Sequence, residues 1–85
     1  MENPAADRLS LGDPSLPGLY TTWRHCKGDL YKVAGHSLDP DGAVHVLYIK
    51  AHIKPDEPVQ IYNQAADRFL GIHPGLNRAR FEEVS

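Results

Sequence analysis

The apolar residues of this chain fall into short runs separated by turn residues, and no stretch sustains a helical period. Leu19 to Trp23 are strand-favouring types, and Lys27-Gly28-Asp29 after them reads as a turn. Leu30 to Ala34 is a second short strand with Tyr31 and Val33 on one face. Asp39-Pro40-Asp41-Gly42 is a strong turn signal, because proline presets φ, aspartate bonds back to the backbone and glycine takes positive φ. Ala43 to Ala51 is the best strand. Val44, Val46 and Tyr48 alternate with His45, Leu47 and Ile49, so both faces are largely apolar and the strand is expected to be central and covered on both sides.

His52 to Pro58, with two prolines around an acidic pair, predicts a loop. Val59 to Tyr62 follows as a fourth strand. Gln64 to Leu70 predicts one or two helical turns, with Asn63 as N-cap and Gly71 as the stop. His73 to Asn77 is another turn, and Arg78 to Val84 a last strand anchored by Phe81. Four or five short antiparallel strands with one short helical turn predict a mostly β domain, a small partly closed barrel of the SH3-like kind. Residues 1–17 hold three prolines and only Leu9, Leu11 and Leu16 as core candidates. They read as a flexible tail in front of a single domain over residues 18–85. Asn3-x-Ala5-Ala6-Asp7-Arg8-Leu9 echoes Asn63-x-Ala65-Ala66-Asp67-Arg68-Phe69, but the flanks differ and no third copy exists, so it is read as coincidence rather than a repeat.

Composition narrows the classes. Eighty-five residues make at most one domain. The net charge of −2 argues against a dedicated nucleic-acid binder, although a local basic patch can still act. The single cysteine, Cys26, allows neither an internal disulfide nor a multi-cysteine zinc site, and it points to a reducing cytoplasm. The chain opens without an apolar run, so no secretory signal is expected. The run from Val44 to Ile49 is far short of the roughly 20 residues of a membrane helix.

Several segments resemble one known family. Tyr20, Arg24-His25-Cys26-Lys27-Gly28 and Leu30-Tyr31-Lys32-Val33 resemble the opening of a bacterial family catalogued as domain of unknown function 1653. Val46 to Ala51 is similar to a strand of that family, Ile61 to Leu70 matches a further segment without a gap, and Arg80-Phe81 stands where the family closes. Cys26 replaces a tyrosine, Gln64-Ala65 replaces an Arg-Pro pair, and a short insertion lengthens the loop after Ala51. The resemblance spans residues 18–84 and implies a compact, stand-alone β-rich domain. It implies no activity, and Gln64 counts against any arginine-dependent role at that position.

Candidate chemistry is sparse. Arg24-His25-Cys26-Lys27 is a polar cluster at a strand end, able to meet an anion or simply to be solvated beside a turn. Adjacent strand residues point to opposite faces, so His25 is not expected to serve Cys26 as a base. The five histidines lack compact metal-ligand spacing, and His45 reads as a hydrogen-bonded histidine at the core edge. Most aromatic residues must be core, with Trp23 the best candidate for an exposed stacker. Arg68, Arg78, Arg80 and Lys50 are candidates to converge on one edge, with Arg78 and Arg80 on a shared strand face, although Glu82 and Glu83 would weaken their field.

No phosphate loop, nucleophile elbow or paired-acid motif appears. The expected function is therefore a non-enzymatic binding module without a cofactor. Its partner would be a nucleotide or other anion, a nucleic acid, or a protein. The binding residues would be Trp23, Arg24, His25, Lys27, Tyr62 and Arg68, Tyr62 being placed in the same groove. The alternative is a small protein that masks a partner protein, as many phage or mobile-element proteins do. A cysteine- or metal-dependent enzyme ranks last.

Overall fold

The computed structural model describes residues 9–84. The elements run β1 (Thr22–His25), β2 (Leu30–Leu38), β3 (Val44–Lys50), β4 (Tyr62–Ala65), α1 (Ala66–Phe69), β5 (Ile72–His73), β6 (Arg78–Ala79) and β7 (Phe81–Val84). Five strands form one antiparallel sheet in the order β4-β3-β2-β1-β7, and β5 pairs with β6 as a separate ribbon. The expectation of a mostly β chain with one short helical segment holds. The sheet, however, is open: β4 and β7 lie at its two edges.

Alternation along each strand decides which residues are buried. On one face Val33, Val44, Val46 and Tyr48 join Phe81, and Trp23, Tyr31 and Tyr62 pack against them. Helix α1 brings Ala66 and Phe69 to this face. The Phe69 ring stacks on Phe81 with centroids 4.1 Å apart, and meets Trp23 at 5.3 Å and Tyr48 at 5.5 Å. Residues from β1, β3 and β7 are thus joined through one aromatic ring, a junction that side-chain packing makes without hydrogen bonds between the edges.

Strand β2 continues past Ala34, where alternation ends in the sequence, because a bulge lies between Val33 and Gly35. Val33 opposes Tyr48 and Gly35 opposes Leu47, leaving Ala34 as the extra residue. The bulge inverts the inward parity, so Tyr31 and Val33 are followed by His36 rather than by Gly35. Strand β3 has hydrogen-bonded neighbours on both sides, as expected, but only one covered face. Val44, Val46 and Tyr48 are buried, whereas His45, Leu47 and Ile49 are half-buried on the outer face.

Three boundaries differ from the sequence reading. The fourth strand begins at Tyr62, where pairing with Tyr48 starts and the two rings stack at 5.6 Å; Val59 and Ile61 are 64% and 63% exposed. Ala65 rather than Asn63 caps α1, without a side-chain bond, and the Asn63 side chain meets His45 at 3.2 Å. The last strand is broken at Arg80, whose backbone N–H donates to the Gly71 carbonyl at 2.9 Å.

The proposed tail over residues 1–17 also needs correction. Residues 1–8, which carry all but Leu9 of the first copy of the echo, lie outside the described residues. Leu16 is only 8% exposed and belongs to the core, Pro17 is buried, and Leu9 packs against the cluster. The His36 ring fixes this segment by donating from Nε2 to the Pro17 carbonyl at 2.7 Å. A bulged strand supplies that histidine, so the anchor depends on the register of β2.

Candidate functional site

The end of β1 meets the β5–β6 ribbon at one corner of the sheet. His25, the last residue of β1, opposes Phe81 of β7 in register. Its ring lies edge-on to Phe81 at 5.0 Å, to His73 at 6.2 Å and to Tyr31 at 6.5 Å. The chain then turns sharply. Gly28 takes φ of 111° and donates its N–H to the His25 carbonyl at 2.7 Å. This positive φ is open to glycine without steric cost.

Two histidines are held in the same way. The Lys27 N–H donates to Nδ1 of His25 at 3.1 Å, and the Gly75 N–H donates to Nδ1 of His73 at 3.1 Å. With Nδ1 accepting in each neutral ring, the proton sits on Nε2, which is left as a donor. His73 pairs across the ribbon with Arg78. Arg80 closes the corner, its carbonyl accepting from the Cys26 N–H at 2.9 Å and its Nε donating to the Arg68 carbonyl at 3.1 Å.

The charges here are mostly positive. Among the described residues Lys50 pairs with Glu57, and His45 Nε2 meets an Asp39 carboxylate oxygen at 3.3 Å. Lys27, Arg68, Arg78 and Arg80 therefore have no carboxylate within ion-pairing distance among those residues. The pKa of His25 is lowered, first by burial and then by His73, Lys27 and Arg80; Asp29 opposes the shift more weakly. Four basic groups, His25, His73, Lys27 and Arg80, thus share one small region with Asp29 in a chain whose net charge is −2.

The expected binding residues are not all brought together. His25 and Lys27 form the corner. Arg24 is exposed, but alternation puts it on the other face of β1, opposite Glu82 and Leu30. Trp23 is not an exposed stacker. It packs against the core, edge-on to Phe69, and its indole N–H donates to Thr21 Oγ1 at 2.9 Å. Tyr62 lines a cleft with Lys50, Ile53, Glu57 and Gln60, whereas Arg68 lines a different one with Leu9, Val44 and Asp67. Tyr62 and Arg68 therefore line two separate clefts rather than one groove, and neither cleft is lined by His25 or Lys27. Lys50 is likewise elsewhere, bonded to Glu57 at 3.0 Å.

Cys26 departs from the strand rule because it is a turn residue. Its Sγ lies 3.8 Å from Nδ1 of His25, so the two side chains do meet. That nitrogen already accepts from Lys27. No group of three or more histidine, cysteine, aspartate or glutamate side chains among the described residues is placed to hold a metal. A metal at Nε2 of either corner histidine would move the proton to Nδ1 and break its turn bond.

Arg78 and Arg80 do not share a strand face, since Arg80 stands between two strands. His73, far from His25 in sequence, was not grouped with it by any spacing. The available signal was local: each of these histidines is followed two residues later by a turn N–H that its ring can accept. No family model, curated protein or solved structure matches this chain.

Proposed function

We propose that this chain is a non-enzymatic binding module that takes an anionic group at the corner formed by His25, Lys27, His73, Arg78 and Arg80. The observation that carries this reading is the convergence of these groups without a paired carboxylate among the described residues. Like charges brought together cost free energy in the unliganded protein, and an oxyanion accepting from several of them relieves that cost. The two Nε2–H groups, a lysine ammonium and two guanidinium groups are all donors, the complement of a phosphate or carboxylate. Arg24 and Arg68 stand outside the corner, on the other face of β1 and in a separate cleft, while Trp23 and Tyr62 pack against the core.

The test is a titration of isotope-labelled protein with phosphate-bearing ligands at two ionic strengths. Binding that shifts the Lys27 and Gly75 amides, and that weakens steeply between about 50 and 200 mM salt, is expected. Binding insensitive to salt argues against the reading. That outcome would favour the second reading, a protein that masks a partner protein, which the exposed Val59 and Ile61 beside edge strand β4 support.

In the same proposal the open sheet is a relative of the SH3-like barrel, its edges bridged by Phe69. The segments shared with the domain of unknown function 1653 family, among them Arg24 to Gly28, make that bacterial family its proposed kin. The lone Cys26 fits a reducing, cytoplasmic setting.

A further inference from the structure

We infer that the corner recognises a compact phosphate or pyrophosphate group itself, and not a nucleobase or an extended nucleic-acid backbone. This rests on the anion-binding reading above and adds the class of ligand. Reading a base without sequence preference relies on exposed aromatic faces for stacking. Here the rings nearest the corner are already engaged. Phe81 is flanked by His25, Tyr31, Tyr48 and Phe69, and Tyr31 by His25, Tyr48, Tyr62 and Phe81. Trp23 is packed against Phe69. The exposed aromatic among the described residues is Tyr20, 75% accessible, which precedes the start of β1 while His25 ends it. Tyr20 stands in the turn ahead of β1, at the end of the strand away from the corner.

The arrangement of charge points the same way. A protein that follows a nucleic-acid backbone carries a basic stripe several phosphates long. The donors here are clustered at one corner, and β7 leads away from it with the exposed Glu83, which opposes Trp23 on the face that His25 shares. An extended polyanion following that face would run into this carboxylate, whereas a small, multiply charged group would not. With Nδ1 accepting a turn N–H, each histidine turns Nε2–H outward as a donor, which suits a short-range contact with phosphate oxygens. Phosphate at the end of a nucleotide, a phosphorylated metabolite and a free pyrophosphate share this chemistry.

The experiment compares sodium pyrophosphate, ATP, adenosine and an oligothymidylate with hydroxyl ends, each titrated into labelled full-length protein at low salt. Pyrophosphate and ATP are expected to bind within about threefold of each other, adenosine not at all, and the oligonucleotide at least about tenfold more weakly. The double variant Lys27→Ala/Arg78→Ala should weaken pyrophosphate binding about tenfold or more with an unchanged melting temperature, since both side chains are exposed and make no bonds among the described residues. Adenosine binding, ATP far tighter than pyrophosphate, or preference for the oligonucleotide overturns the inference and leaves the anion-binding reading standing. Silence from pyrophosphate, ATP and the oligonucleotide together removes both.

Discussion

Replacing Leu16 by alanine tests whether the segment ahead of β1 is part of the folded domain. Leu16 is 8% exposed and belongs to the same buried cluster as Val33, Phe69 and Phe81. Leucine-to-alanine substitutions in cores cost about 2–5 kcal/mol, depending on how far the site relaxes. Leu16 enters from a connecting segment able to shift inward, so the low end, about 2–3 kcal/mol, is expected. The whole domain is worth roughly 4–13 kcal/mol at 0.05–0.15 kcal/mol per residue, so the loss is a large share. At about 4–8 °C per kcal/mol for a domain of this size, the melting temperature should fall by about 10–20 °C. Trp23 fluorescence followed during heating measures it directly, because the indole packs on the same cluster. His36→Ala removes the bond to the Pro17 carbonyl and should cost about 1 kcal/mol. The double variant should lose less than the sum, because both side chains hold one segment. A fall under about 3 °C for L16A would refute the packing and restore residues 9–17 to a tail.

Three further outcomes follow from named contacts. The folded state lowers the pKa of His25, so at mildly acidic pH the unfolded chain binds more protons and stability rises with pH. Stability should fall as the pH drops from about 7 toward 5, and H25F should flatten that slope in urea melts; an unchanged slope removes His25 as its source. In E57Q the Lys50 ammonium loses the carboxylate whose hydrogen bond raises its pKa, so its titration midpoint, followed by the side-chain carbon shift, should drop. An unmoved midpoint would mean that the pair does not form in solution. In Gly71→Ala the new Cβ would lie 2.9 Å from the Asp67 carbonyl oxygen, a backbone atom with little freedom to yield, and the urea midpoint should fall by the equivalent of about 1–3 kcal/mol. An unchanged midpoint would show that the end of α1 relaxes freely.

The local signals of the sequence were sound where one residue type settles one conformation. Turns at Lys27-Gly28 and Asp39–Gly42, the alternation over Val44–Tyr48 and the helix stop at Gly71 depend on neighbouring residues alone. The strand reading failed at Ala34, where a bulge reverses the parity, and at Val59, where strand-favouring residues stay exposed because the ring stack of Tyr48 with Tyr62 sets the pairing. In both places a cross-strand partner outweighed propensity.

The candidate site was half legible. His25 and Lys27 stand together in the chain, but their companions come from a ribbon far along it. Local residue order was enough for a mostly β chain with its turns, an apolar inner stripe and one polar strand end. The open sheet, the inward Trp23 and the meeting of His73, Arg78 and Arg80 with His25 and Lys27 came from packing between distant segments. The packing of Phe69 against Phe81 and the Arg80 hydrogen bonds draw the ribbon to β1, and contacts so distant in sequence leave no periodic trace along it.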